Sequence, residues 1–158
     1  MGRLHLVSRT FHLPFTPLRL SPTEAFPHRR ILGYPLLPVM LRRGSRRIRV
    51  ISLLDSGADD CLFPASIGRL LGLPVEAGRK QPFMGAGAFS NLAYFHQVTV
   101  GVTLENVPLW FDLSVGFSTA MDIPKLGLLG RAGFFDRFEE VAFRVKEQYV
   151  RLVVEVPK

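Results

Sequence analysis

The chain carries one cysteine, one tryptophan and four lysines in 158 residues, and it has no long uncharged apolar run. Each shortage excludes something. Cys61 alone cannot build an intrachain disulfide framework, and without a second thiol the cysteine-based zinc sites are excluded. The four histidines, His5, His12, His28 and His96, lack metal-ligand spacing, so no metal and no cofactor is expected. No stretch reaches the roughly 20 apolar residues of a membrane span. At the N-terminus His5, Arg9 and His12 break the apolar core of a signal peptide, and Leu6 stands where a myristoylation motif has Ser or Thr. The expectation is a cytoplasmic protein in a reducing compartment, with no membrane partner.

What is present reads as a globular β-rich chain. Apolar residues make up 47% and charged residues 21%, enough for one real core. Twelve prolines and 14 glycines favour many short elements joined by turns. The net charge of +7 is uneven, because the first 50 residues hold ten arginines against the single acid Glu24. Pro14, Pro17, Pro22 and Pro27 would break the helix of an organelle transit peptide there. Residues 1–30 are therefore expected to form an N-terminal arm or an extra edge strand, and residues 31–158 the main domain.

Strands are expected at Tyr34 to Leu41 and Ile48 to Leu54, around a turn rich in arginine (42, 43, 46, 47, and 49 just beyond). Pro64 opens a short helix through Leu71, which Gly72 stops. Apolar alternation gives strands at Tyr94 to Val102 and Val107 to Val115, with turns at Glu105–Pro108 and Gly116–Thr119. A helical turn at Ala132 to Phe138 and a hairpin of Val141 to Val145 with Tyr149 to Val156 close the chain. The fold class is all-β, an antiparallel barrel or sandwich with one or two short helices.

The most telling segment is Asp55-Ser56-Gly57-Ala58-Asp59-Asp60. It follows the apolar run Ile48 to Leu54, so Asp55 sits where a buried strand breaks into a loop, a costly place for an unused carboxylate. An aspartate before Ser-Gly also caps its own turn in many loops, which is the plain alternative. Two further segments follow: Met84-Gly85-Ala86-Gly87-Ala88-Phe89, and Leu128-Leu129-Gly130-Arg131 before the helical turn.

In that order the three segments resemble the retropepsin-like aspartic proteases, the single-domain retroviral-type enzymes, over about residues 34–156. The resemblance implies an acid-protease barrel. It implies that Asp55 is a catalytic carboxylate, that Ser56 bonds across a dimer axis and that Gly57 lets backbone approach the reacting centre. It makes Ala58, Asp59 and Asp60 substrate-binding, together with the flap residues Met84, Gly85, Ala86, Gly87 and Phe89 in a hairpin near residues 83–95. It makes Leu128, Leu129, Gly130 and Arg131 structural support, with Arg131 paired to Asp59.

The chemistry needs two carboxylates, one ionised to activate water and one protonated to polarise the scissile carbonyl. Two carboxylates about 3 Å apart cannot both ionise, so such a pair shares a proton and titrates as a unit. The chain has no second Asp-Ser/Thr-Gly, since Asp112-Leu113-Ser114 and Asp122-Ile123-Pro124 lack the glycine. A homodimer acting on a peptide or protein substrate is thus expected, each chain lending one Asp55 and terminal strands to the dimer sheet.

Two rivals remain. One is the same fold as a non-catalytic peptide-binding and dimerisation module. The other is a basic nucleic-acid-binding protein using the arginine hairpin. No aromatic residue interleaves those arginines, so a solvated hairpin tip is preferred and nucleic acid is not the expected partner. Ser90 and His96 lack a nucleophile elbow, and Cys61 reads as a small buried residue.

Overall fold

The computed structural model describes residues 5–85, 90–123 and 125–158. Its elements are β1 (Leu6–Pro14), β2 (Thr16–Leu20), β3 (Arg30–Tyr34), β4 (Leu36–Arg43), β5 (Arg46–Leu54), β6 (Leu62–Pro64) and α1 (Ala65–Leu70). There follow β7 (Arg79–Met84), β8 (Ser90–Leu104), β9 (Val107–Ser118), β10 (Gly127–Leu129), β11 (Glu140–Arg144) and β12 (Tyr149–Pro157). Three short 3-10 turns lie at Val75–Ala77, Thr119–Met121 and Phe135–Arg137. The chain is all-β with one short α-helix among the described residues, as its turn-rich composition implied. No helix among these residues is long and apolar enough to cross a membrane.

Two compact units divide the chain. The larger spans residues 37–137. In it, β4, β5, β10, β6, β9 and β8 follow one another around a sheet that β4 and β8 close by pairing, leaving β7 on the edge of β8. Closure follows from the length of β8, whose one edge serves two partners, residues 90–95 with β7 and 99–102 with β4. Closure pairs the edges of β4 and β8 and leaves β7 as the edge strand. The inward positions alternate along the strands, and Val39, Leu41, Val98, Val100, Val102, Leu113, Val115 and Phe117 are buried.

Two expected turns are corrected. The β8–β9 hairpin turns on Glu105 and Asn106 alone, both at positive φ (47° and 67°), while Val107 and Pro108 already pair with Leu104 and Thr103. That is the two-residue turn whose twist suits a hairpin. Gly116, Phe117 and Ser118 are not a turn but the buried end of β9. Gly116 serves close packing, since a Cβ there would lie 2.7 Å from Leu62 and 3.0 Å from Ala93.

Helix α1 begins after Pro64, which supplies no side-chain cap. The missing acceptor comes from another segment, because Ser66 N donates to Asp122 Oδ1 at 2.9 Å. At the other end Gly72 turns the chain at φ +76°. Arg43 and Arg46 donate to the carbonyls of Gly72 (2.9 Å) and Leu70 (3.2 Å), so two of the clustered arginines close the helix.

Partial burial pushes the Asp122 carboxyl up, but hydrogen bonds from Ser66 and the charges of Arg69 and Lys125 outweigh it and hold it below its ordinary 3.8. Asp122→Ala is expected to lower stability by about 1 kcal/mol in urea unfolding at neutral pH. A carboxyl with a depressed folded pKa stabilises above its unfolded value and ceases to as pH falls through the folded one. The gap between wild type and variant should therefore close below 3.8. A gap that stayed constant in acid would contradict the capping role.

The second unit joins residues up to 36 with residues 138–158. β12 lies between β1 and β11, and β1 runs antiparallel to it from Leu6 opposite Pro157 to Pro14 opposite Tyr149. The N-terminal residues 6–14 are thus an edge strand. Phe11, Val150 and Leu152 are fully buried. Arg151 grips Glu140 with two hydrogen bonds of 2.6 and 2.7 Å, holding that carboxyl below its usual range. β2 and β3 form a separate two-stranded ribbon.

Candidate active site

Asp55 is the first residue beyond β5, after buried Ser52 and Leu54. The loop that follows bonds to itself. Gly57 N donates to Asp55 Oδ1 at 2.9 Å, and Ala58 N donates to Asp55 O at 3.2 Å. The first of these fixes the carboxylate in place with a backbone donor.

The loop is also held from outside. β10 lies between β5 and β6, parallel to β5 (Gly127 to Leu129 beside Ser52 to Leu54) and antiparallel to β6 at Leu128 and Leu62. β5 and β6 are the two strands that the hexapeptide connects, so β10 wedges directly beneath the loop. Leu129 O accepts from Asp55 N at 3.0 Å, Arg131 N donates to Ala58 O at 3.0 Å, and Ala132 N donates to Asp59 O at 2.7 Å. Asp60 forms a bridge with Ala132.

Gly130 is obligatory at this contact. A Cβ there would collide with the Asp60 carbonyl, reaching 2.6 Å from its carbon and 2.9 Å from Ala58 O. Arg131 pairs with Asp59, as the sequence resemblance implied. Both side chains are exposed, so the pair orients the loop more than it stabilises the fold.

The expected site residues distribute as follows. Asp55, Gly57, Ala58, Asp59, Asp60, Met84, Gly85 and Leu128 all border one cleft of about 940 Å³. Ser56 is exposed beside it on the loop. Leu129 and Gly130 are buried beneath, and Leu128 is half-buried. Met84 ends β7 with 77% of its surface exposed, facing Ser90 across the β7–β8 hairpin. Ala86, Gly87 and Phe89 lie outside the described residues.

Further cleft residues escaped the sequence reading, among them Leu62, Gln81, Phe83, Phe95 and Met121. Gln81 matters most, because its Nε2 donates to Asp60 Oδ2 at 3.1 Å and links β7 to the loop. Alternation along β7 could have placed Gln81 and Phe83 on one face. Nothing local marks Met121, which reaches the cleft from the turn after β9.

The sequence matches no known protein-family profile and no curated protein. Among solved structures, it is similar to a retropepsin-like aspartic protease from Rickettsia conorii, with a TM-score of 0.60, 11% identity and 99% of each chain covered. The fold is retropepsin-like. At that identity, shared architecture is what the match establishes. Among the described residues no group of three His, Cys, Asp or Glu side chains is placed to hold a metal ion.

Cys61 follows the acidic stretch but is fully buried. Burial pushes its thiol up to about 11. The thiolate is the reacting form, so native Cys61 should resist a thiol reagent at pH near 8 and react promptly once urea unfolds the chain. Rapid labelling of the folded protein would show that the thiol is accessible after all.

Proposed function

We propose that this chain is one half of a homodimeric aspartic endopeptidase. The observation that carries this reading is the placement of Asp55. It is a carboxylate fixed by the Gly57 N–H, on a loop wedged by β10, at the border of a cleft that a flap-like hairpin also lines. The retropepsin-like fold supports the same reading.

In the proposed reaction, the Asp55 carboxylates of two copies meet across a two-fold axis. One draws a proton from water while the other, protonated, polarises the scissile carbonyl. Water attacks directly, without a metal, a cofactor or a covalent enzyme intermediate. Ser56 would bond across the axis and keep the two loops in register. Gly57 leaves room for the substrate backbone. Ala58, Asp59 and Asp60 would line the substrate on one side, and Met84, Gly85, Ala86, Gly87 and Phe89 would cover it on the other. An extended peptide gains affinity from backbone hydrogen bonds and preference from apolar pockets such as those of Leu62, Phe83 and Phe95. Leu128, Leu129, Gly130 and Arg131 would hold the loop in its reactive geometry.

The test is cleavage of a peptide library by wild-type and Asp55→Asn chains, with sedimentation of both. Activity that needs Asp55 and a dimer is the expected result. A monomer that binds peptides and cuts none would instead fit a peptide-holding module.

A further inference from the structure

The arginines at the β4–β5 hairpin divide into two sets. Arg43 and Arg46 are engaged by carbonyls at the end of α1. Arg42, Arg47 and Arg49 form no ion pair among the described residues. Arg47 and Arg49 share the outward side of β5, two residues apart.

The aromatic residue absent from this stretch of sequence arrives through the sheet. Trp110, the chain's one tryptophan, stands opposite Gly101 in the β8–β9 pairing. A Cβ on Gly101 would collide with the indole of Trp110, so the glycine lets the ring lie flat over β8 towards β4. There the Arg42 guanidinium sits 4.6 Å from the ring centroid, a cation–π stack. Trp110 remains 42% exposed. A groove of about 350 Å³ runs along this outer face, floored by Pro38 and Met40 and lined by Arg47, Arg49, Gly101 and Trp110. Asp112, two residues along β9, is occupied by the Thr99 hydroxyl at 2.8 Å.

We propose that this face of the closed sheet binds single-stranded nucleic acid, with a base against the Arg42–Trp110 stack and adjoining phosphates on Arg47 and Arg49. Charge complementarity selects a polyanion, and an indole–guanidinium platform beside unpaired arginines suits a base next to its phosphates. An acidic peptide fits less well. The groove is floored by β4 and β8, which pair there with each other and with β5 and β9, so its floor offers a peptide backbone no ladder to join. The groove is small, so it takes one base of a strand that continues past it. This site is separate from the Asp55 cleft and stands whether or not that cleft cuts peptides.

Because Trp110 is the sole tryptophan, intrinsic fluorescence reports the site directly. Titration of the full chain with oligothymidylate or oligouridylate should quench it saturably. Two phosphate contacts predict a slope of log affinity against log salt of about −1.4. Arg47→Ala with Arg49→Ala should flatten that slope to near zero without changing the circular dichroism spectrum. Trp110→Leu, followed by the anisotropy of a labelled oligonucleotide, should weaken binding by about tenfold. Unchanged Trp110 fluorescence, or a slope untouched by the arginine replacements, would overturn the proposal. So would equal quenching by a poly-glutamate peptide, which would make this a general site for acidic chains.

Discussion

On the proposed reading, an Asp55→Asn chain is expected to keep its fold and the proposed dimer and to lose peptide cleavage by a factor on the order of 10²–10⁴. Asparagine is nearly isosteric with aspartate, and its side-chain oxygen can still accept the Gly57 N–H that now holds Asp55 Oδ1 at 2.9 Å. The loop contacts from Leu129, Arg131 and Ala132 are backbone bonds and do not involve the replaced carboxyl. What disappears is the capacity to take or give a proton.

Mixed dimers test the shared site directly. If both copies contribute to one site, a freely exchanging equal mixture of wild-type and variant chains should show about a quarter of full activity, not half. A linear dependence on the wild-type fraction would mean that each chain works alone, which would sink the shared-site reading. Measurement requires only a fluorogenic peptide and chains mixed before assay.

The second large effect is expected at Gly130→Ala. The added methyl would press on the Asp60 carbonyl and Ala58 O, which are backbone and cannot rotate away. Overpacking of this kind costs about 1–3 kcal/mol, and a contact against main chain belongs at the upper end. Thermal unfolding should show that loss. The atoms that must yield belong to the loop carrying Asp55, so activity should fall further than stability explains. A displacement of about 1 Å can cost on the order of 10²-fold in rate. The decisive reading is kcat well below the melting point, where a folded but inactive variant is expected. Full activity in the folded variant would show that the loop is not held in register through Gly130.

The contrast between these residues and their surroundings shows what a sequence makes legible. Asp55 to Asp60 could be recognised because its features are local: an apolar strand, an abrupt carboxylate, a hydroxyl and a glycine. Leu128-Leu129-Gly130 was legible for the same reason, and so were helix α1 between Pro64 and Gly72 and the closing hairpin of β11 and β12. Gly116 misled because a glycine that admits Leu62 looks the same in sequence as one that turns the chain. Gln81 carries only the faint alternation of β7, and Met121 carries no local signal, since it reaches the cleft from the turn after β9. Trp110 is the clearest case. Its place beside Arg42 depends on β8 running between β4 and β9, which no periodicity in either segment discloses.

The wedge of β10 has a consequence for how the chain acquires its form. Gly127 must find Ser52, about 75 residues earlier, and slip between two strands that are close neighbours in the chain. Closing so long a loop is entropically unfavourable until its contacts form, so this pairing belongs late in folding. On the ribosome, β5, the hexapeptide and β6 emerge well before residues 127–132 exist to brace them. A nascent or truncated chain therefore holds the Asp55 loop without its scaffold, and the loop is braced only once residues 127–132 have been made. The order of synthesis itself delays the maturation of the loop.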